Sequence, residues 1–134
     1  ILWVEQYPQG LGPTIPEIAS RLEGFTPFPK RTFSSIRDDA IRAEFERLDR
    51  RQVILTGIET HVCIYQTAMD LLALGVEVHV PVDAVSSRTA RNRQVGLDKI
   101  ARAGGQPTSV ETVLFELLGI AEGDAFKRIV RLVK

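Results

Sequence analysis

The chain is poor in the residues that disulfides and metal sites require. Its 134 residues include one cysteine and two histidines. A single cysteine excludes an intrachain disulfide, and chains without disulfides are typical of reducing compartments, so we expect a cytoplasmic protein. Neither histidine lies in a pattern of acidic partners, so we expect no metal site and no cofactor.

The sequence also lacks net charge and long apolar runs. Seventeen Lys and Arg residues balance seventeen Asp and Glu residues, so the chain as a whole offers no electrostatic attraction for nucleic acid or an anionic membrane. The longest apolar stretches, such as LLALGV at 71–76, are far too short to cross a bilayer. We therefore expect neither nucleic acid nor a membrane among the partners.

Strand-like and helix-like segments alternate along the chain. The run QVILT at 52–56 is continuously apolar, which is typical of a strand covered on both faces. Thr14 and Glu17 fit a capping box for a short helix, and Ser35 and Asp38 fit the start of another. The alternation predicts an α/β fold with a parallel sheet and right-handed crossovers. Strands are predicted at 1–4, 52–56, 76–82 and 106–110, with an extended element near 30–33, and helices at 16–22, 35–50, 60–74, 88–103 and in two closing segments.

Parallel sheets bind their ligands at the carboxyl ends of the strands. The single cysteine, Cys63, follows the strand 52–56 and falls in the first turn of the next helix. Free amide donors and the helix dipole would stabilise a thiolate there. An isolated cysteine on an amphipathic helix is also commonly inert filler. Position on the helix alone favours filler, and the placement at a strand end makes nucleophile and filler about equal interpretations.

Lys30 is the second candidate site residue. It follows Pro29 among apolar residues in FPKRTFSS, and an ammonium near a thiol favours the thiolate and can hold a developing oxyanion. The more common fate of such a lysine is an exposed loop position. His61 is two residues from Cys63, and residues with that spacing lie on nearly opposite sides of a helix. We therefore do not expect a Cys–His pair.

Two longer motifs carry a resemblance to a known family. TGIETHVCI at 56–64, followed by QTAMDLLALGVEVHVPVDAVSSR at 66–88, resembles the isochorismatase-like cysteine hydrolases, in particular the isochorismatase domain-containing subgroup. EQYPQGLGPTIPEI, PKRTFSS and the tail FKRIVRLVK fit the same subgroup. The resemblance covers essentially the whole chain. It implies a three-layer α/β/α sandwich with a parallel, Rossmann-like sheet, and a homo-oligomer.

The resemblance also implies a site. The family uses a triad of Asp, Lys and Cys, whose nucleophile falls on Cys63 and whose lysine falls on Lys30. A non-proline cis peptide commonly precedes the motif threonine, which we expect at the Glu59–Thr60 bond. Backbone amides near Glu59 and Cys63 are then expected to hold an oxyanion.

The sequence departs from the family pattern at its beginning. The family's aspartate ends a strand upstream of the segment 1–4, and no residue here matches it. Glu5 and Asp83 are carboxylates at strand ends, but neither corresponds to that base. We expect residues 1–134 to form one isochorismatase-like domain that lacks the N-terminal strand. The start at Ile1 rather than Met favours a longer protein that carries the complete triad.

The resemblance narrows the expected reaction. The Asp-x-His set of the nicotinamidase branch is absent, and true isochorismatases lack the motif cysteine that is present here as Cys63. The expected function is cleavage of a C–N bond in a small amide or carbamoyl-type substrate through a thioester. One alternative is a catalytically impaired domain that binds a small molecule or acts as a scaffold. A redox or thiol-transfer role is a third, which the lack of a second cysteine disfavours.

Overall fold

The structure is a computed structural model that describes residues 1–134. Seven strands and seven helices follow one another along the chain. The strands are β1 Val4–Gln6, β2 Phe28–Lys30, β3 Gln52–Ile54, β4 Gly57–Ile58, β5 Glu77–Pro81, β6 Val85–Ser86 and β7 Gln106–Thr108. The helices are α1 Pro8–Leu11, α2 Pro16–Ala19, α3 Asp39–Leu48, α4 Tyr65–Ala73, α5 Ala90–Arg102, α6 Val110–Leu118 and α7 Gly123–Val133. Single 3-10 turns at Ser35–Arg37 and Val82–Ala84 and a π-helical turn at Thr60–Ile64 complete the list.

Every strand pair is parallel, and the strands form three hydrogen-bonded groups. β1 pairs with β2, β4 pairs with β6, and the third group has the order β3-β5-β7. The predicted α/β sandwich with parallel strands is confirmed. No backbone pairing joins β1 to β3, so each of these strands has one unpaired edge.

The core lies between the third strand group and the helices that connect its strands. Because β3, β5 and β7 are parallel and follow one another in order, right-handed crossovers place α4 and α5 on the same face. Val78 and Val80 of β5, Leu71 of α4 and Ile100 of α5 are at most 2% exposed. Burying each side chain of this size contributes roughly 1.5–3 kcal/mol, and this packing fixes the strand ends that carry the site.

The start of α3 agrees with the sequence pattern. The carboxylate of Asp38 accepts hydrogen bonds from the backbone N–H groups of Ala40 and Ile41, both at 3.2 Å, as an N-cap residue does. The helix then extends to Leu48. The Asp38 cap is therefore confirmed. Ser35 caps no helix and lies in the separate 3-10 turn, so the helix begins at Asp39 rather than at 35, and it ends two residues earlier than expected.

The strand prediction at 52–56 is wrong in two respects. β3 contains only three residues, and Ile54 is 46% exposed, so the run is not covered on both faces. β3 is also an edge strand of its group, with β5 as its one neighbour. The first strand is also displaced, because β1 begins at Val4 instead of covering 1–4.

The predicted capping box of α2 is absent. The helix begins at Pro16 with Ile15 as its N-cap residue, which has no side-chain cap. Thr14 instead accepts a hydrogen bond from the Trp3 indole N–H at 2.7 Å, and its own N–H donates to Glu5 Oε1 at 2.7 Å. Thr14 therefore fastens the loop to β1 rather than capping a helix.

The last two helices pack against each other. Phe115 of α6 and Phe126 of α7 have ring centroids 6.4 Å apart. The half-buried side chains of α7 recur at helical spacing, so they share one face: Phe126, Ile129, Val130 and Val133. None of the helices combines the length and the apolar composition that a bilayer crossing requires.

Candidate functional site

Cys63 lies in the π-helical turn Thr60–Ile64, which joins β4 to α4. The carbonyl of Glu59 accepts hydrogen bonds from the N–H groups of Val62 at 3.1 Å and Ile64 at 3.2 Å. Wide turns of this kind occur frequently at functional sites, because the additional residue changes the direction of the side chains. The thiol of Cys63 is free and the residue is half-buried, so it is neither sealed in the core nor fully exposed.

The beginning of this turn is held by a buried hydroxyl. Thr60 is 0% exposed, and its Oγ1 donates a hydrogen bond to the carbonyl of Ser86 at 2.8 Å. That bond ties the turn to β6, which pairs with β4. The structure therefore gives the motif threonine a positioning contact.

Helix α5 passes unusually close to the same turn at Gly96. A Cβ atom at this position would lie 2.7 Å from the carbonyl carbon and oxygen of Thr60 and 2.8 Å from the backbone nitrogen of His61. Those separations are shorter than van der Waals contact, so the approach requires glycine. Gly96 is not among the site residues predicted from the sequence, in which its only signal is a glycine inside a helical pattern.

Lys30 ends β2 and is only 5% exposed. Its Nζ donates hydrogen bonds to the carbonyls of Thr32 at 2.8 Å and Phe33 at 2.9 Å, and to Gln6 Oε1. The exposed-loop interpretation of this lysine is therefore wrong. Burial lowers the pKa of Lys30 below its usual value, whereas the charges of Cys63 and Asp38 act in the opposite direction.

Gln6 connects the two candidate residues. It ends β1 directly opposite Lys30 in the strand register. Its Oε1 accepts from Lys30 and lies 3.9 Å from Cys63 Sγ, within reach of a weak S–H···O contact. Its Nε2 donates to the carbonyl of Arg31 at 3.1 Å. The sequence analysis missed Gln6, because it ended the first strand at residue 4 and therefore selected Glu5.

The cis peptide bond lies one position earlier than predicted. It joins Ile58 to Glu59, not Glu59 to Thr60. Glu59 has extended dihedral angles, φ −85° and ψ 132°, and leads through a trans bond into the π-helical turn. The prediction placed the cis bond directly before Thr60, whereas the structure has it directly before Glu59.

The carboxylates at the strand ends are engaged away from the thiol. Glu5 accepts from Thr14, Asp83 accepts from the N–H of Val110 at 2.9 Å, and Glu59 accepts from the N–H of Arg88 at 3.2 Å. No carboxylate makes a hydrogen bond with Cys63 Sγ; its one polar contact is Gln6 Oε1. A general base for the thiol is therefore not provided by these side chains.

His61 belongs to a neighbouring polar cluster. Its Nδ1 lies 3.1 Å from Ser87 Oγ and 3.6 Å from Glu59 Oε2. Both partners approach the same ring nitrogen, so the imidazole cannot pass a proton from one to the other. No group of three or more His, Cys, Asp or Glu side chains has an arrangement suited to a metal ion.

A cleft of about 370 Å³ opens beside Lys30. The guanidinium of Arg31 lies 4.0 Å above the ring of Tyr7 at its edge. A second cleft, of about 310 Å³, lies near the Arg37–Asp70 ion pair and contains neither Lys30 nor Cys63. We regard the first as the candidate substrate cleft because Lys30 lines it, although Cys63 is not among its lining residues. Its lining residues are Tyr7, Pro8, Gln9, Pro29, Lys30, Arg31 and Asp38.

Comparisons with known proteins identify the family of the chain. Residues 1–112 match the family model described as the isochorismatase domain. The isochorismatase domain-containing protein 2 of Bos taurus is 44% identical over 131 residues, which are 97% of this chain and 62% of that relative. The chain thus spans about three fifths of the relative's length.

Two solved structures show the same fold. The MAR1 ribonuclease from Caenorhabditis elegans aligns with a TM-score of 0.86 and 40% identity over 97% of this chain and 67% of that chain. The YcaC gene product from Escherichia coli, described as an octameric hydrolase of unknown specificity, has a TM-score of 0.88. It is 20% identical and covers 96% of this chain and 65% of that chain, a similarity that shows the fold alone. The family model and the bovine relative show more: the chain belongs to the isochorismatase-like hydrolases, in the subgroup of the isochorismatase domain-containing proteins.

Proposed function

We propose that this domain carries the nucleophile of a cysteine hydrolase that cleaves a C–N bond in a small amide or carbamoyl-type substrate. The observation that supports this most strongly is the convergence of Cys63 and the buried Lys30 on Gln6 Oε1. A buried lysine is costly unless its charge is used or fully satisfied. Because Lys30 lies near the only thiol of the chain, its charge can stabilise the Cys63 thiolate.

The proposed reaction has two steps. A carboxylate base removes the Cys63 proton, the thiolate attacks the substrate carbonyl carbon, and the carbonyl electron pair moves onto oxygen. The tetrahedral intermediate collapses, the C–N bond breaks, and the amine leaves with the proton that the base returns. Water, deprotonated by the same base, then attacks the thioester and releases the acid and the Cys63 thiol.

Lys30 and backbone amides near Glu59 and Cys63 stabilise the oxyanion in this proposal. The three Nζ hydrogens of Lys30 already have acceptors, so the lysine acts through its charge more than as an additional donor. Losing one oxyanion donor typically costs about 3 kcal/mol of transition-state stabilisation. Loss of the nucleophile is expected to cost more.

The carboxylate base comes from outside these 134 residues in this proposal. The strand-end carboxylates are engaged elsewhere, and the edges of β1 and β3 are unpaired. A further parallel strand at those edges would bring its carboxyl end to Cys63. The bovine relative, of which this chain spans 62%, has sufficient length for such an element.

The proposed partners are a small-molecule substrate and further copies of the same protein. The cleft of about 370 Å³ suits a small ligand more than a polymer. The Escherichia coli structure with the same fold is octameric, and this supports a homo-oligomer. We place the protein in the cytoplasm because its single cysteine precludes disulfide stabilisation.

The decisive experiment is a panel of small amides and ureides assayed with a protein of the relatives' length. Cys63→Ala is expected to lower turnover at least about a thousandfold, as loss of a nucleophile does. Intact mass measured after rapid quenching is expected to show an acyl group on the wild type only. Val62→Ala, in the same turn, is the matched control and should retain turnover. Undiminished turnover by Cys63→Ala would remove the thiol from the mechanism.

RNA cleavage is a second candidate function. It is favoured by the name of the Caenorhabditis elegans structure, a ribonuclease that is 40% identical. The basic run at 88–93 gives it little support, because Arg93 donates to the carbonyls of Val82 and Val85 and Arg88 pairs with Glu59. Cleavage of RNA that persists in Cys63→Ala, with no turnover of any amide, would favour this function.

The alternative of a binding or scaffold domain makes a different prediction. In that case the complete protein turns over no amide, and Cys63 reacts with alkylating agents no faster in the folded chain than in the unfolded chain. The lack of a carboxylate on Cys63 is the observation behind this alternative. Thiol reactivity therefore separates it from the hydrolase.

A further inference from the structure

The ammonium of Lys30 occupies a site in which all three of its hydrogens have an oxygen partner. Two partners are the carbonyls of Thr32 and Phe33, in the loop that follows the lysine itself. The third is Gln6 Oε1, from the neighbouring strand. Gln6 is therefore the only side chain among the acceptors and the only one that reaches Lys30 from another element.

The orientation of the Gln6 amide is fixed by its other contact. Nε2 donates to the carbonyl of Arg31, and a flipped amide would direct its NH₂ group at the ammonium and its oxygen at another oxygen. Oε1 must therefore face Lys30. The same oxygen lies 3.9 Å from Cys63 Sγ, so one atom contacts both candidate residues.

We propose that Gln6 is the positioning residue of this site, which keeps the Lys30 ammonium charged and holds it beside Cys63. An amide oxygen suits this task because it accepts a hydrogen bond without carrying a full negative charge. A carboxylate at the same place would neutralise the charge that the thiolate and the oxyanion require. The charged groups that face Lys30 are Cys63 and Asp38. The catalytic part of this inference rests on the proposed function, but the effect on the lysine charge does not.

The charge of Lys30 is measurable directly by NMR. The chain has four lysines, Lys30, Lys99, Lys127 and Lys134, so ¹³Cε-labelled lysine gives a simple spectrum in which Lys30→Arg assigns the Lys30 signal. Gln6→Met is expected to move the titration midpoint of Lys30 to lower pH by about one unit, which corresponds to one lost charge-assisted hydrogen bond. Gln6→Glu is expected to move it to higher pH. The control Gln94→Met changes an exposed glutamine of α5, away from the cleft, and should leave the midpoint in place.

The second measurement is the rate of alkylation of Cys63 at neutral pH. Both Gln6 variants are expected to slow it, Gln6→Met because the side chain that holds the ammonium beside Cys63 is lost and Gln6→Glu because the carboxylate competes for the ammonium. A merely structural Gln6 would give the wild-type alkylation rate in a folded Gln6→Met variant.

The outcomes are distinguishable. An unchanged Lys30 midpoint in Gln6→Glu overturns the inference, and this variant decides the question if Gln6→Met does not fold. Shifted midpoints with unchanged alkylation also overturn it, because Gln6 then does not serve the thiol. A third outcome is a protein that turns over no amide but whose Gln6 variants show shifted Lys30 midpoints and slower alkylation. That outcome would support the positioning role of Gln6 and contradict the proposed hydrolase function.

Discussion

At the scale of single residues, the site depends on two buried polar groups in different situations. Burial disfavours the charged form of Lys30, and three hydrogen-bond acceptors stabilise its ammonium group. Thr60 is a neutral hydroxyl with one buried partner, the carbonyl of Ser86. The lysine therefore makes stability depend on pH, whereas the threonine contributes through a neutral hydrogen bond.

The first prediction concerns pH and Lys30. Because burial lowers its folded-state pKa, the unfolded chain binds more protons than the folded chain between that pKa and the ordinary value of 10.5. In a Cys63→Ala background, where no thiol titrates, the free energy of unfolding attributable to Lys30 should therefore rise with pH across this window. Below the folded-state pKa both states hold the proton, and the dependence disappears.

Urea unfolding at a series of pH values measures this effect. The wild-type lysine should show the rise, Lys30→Met should lack it, and Lys134→Met, at the exposed end of α7, should behave like the wild type. A free energy of unfolding that falls across the window relative to Lys30→Met would contradict the account.

The second prediction concerns Thr60. Thr60→Val keeps the shape but leaves the Ser86 carbonyl without its donor, so the free energy of unfolding should decrease by about 1–3 kcal/mol. Thr60→Ser retains the hydroxyl and should lose less. Chemical denaturation distinguishes the two variants, and equal losses would mean that the hydrogen bond contributes little.

At the scale of elements, the turn that carries Cys63 is shaped by a helix from elsewhere in the chain. Gly96 brings α5 against the backbone of Thr60 and His61. The turn is also anchored through β4, which pairs with β6. The position of the thiol is therefore a property of packing between segments and not of the motif alone.

The third prediction is that Gly96→Ala destabilises the chain in spite of the higher helix propensity of alanine. Propensity favours the substitution by up to about 1 kcal/mol, but the new Cβ would overlap backbone atoms that cannot move aside easily, at a typical cost of about 1–3 kcal/mol. Arg91→Ala, on the exposed part of the same helix, is the control. A stabilised Gly96→Ala variant with normal Cys63 reactivity would show that the close approach is unimportant.

The sequence predicted the elements that depend on local patterns and missed contacts between distant segments. Asp38 was identified as a cap because its partners are two and three residues away. Cys63 was a candidate because it follows a predicted strand and Lys30 because of its apolar surroundings, and the resemblance then gave both residues their expected roles. Gln6 could not be identified, because its importance comes from the register of β1 with β2 and from a turn 57 residues away.

At the scale of the whole molecule, the strands form groups whose edges are incompletely paired. β1 and β3 each have one free edge, and Ile54 of β3 and Ile58 of β4 are 46% and 68% exposed. Apolar residues near free strand edges favour association with another strand. The proposed strand would supply the missing carboxylate base and would also pair with the free edges of β1 and β3.

The fourth prediction follows from this arrangement. The 134-residue chain should alkylate at Cys63 but turn over no amide, because thiol and lysine are present and the base is not. A protein of the relatives' length should do both. Rapid turnover by the 134-residue chain alone would contradict the assignment of the base to an outside segment.

The measurement that tests the central claim most directly is the alkylation rate of Cys63 at neutral pH. With a single cysteine, one mass change reports one site. The account predicts that Cys63 reacts faster in the folded chain than in urea, and that Lys30→Met removes the difference while Lys134→Met does not. A folded Cys63 that reacts no faster than the unfolded thiol, with no response to Lys30→Met, would contradict it.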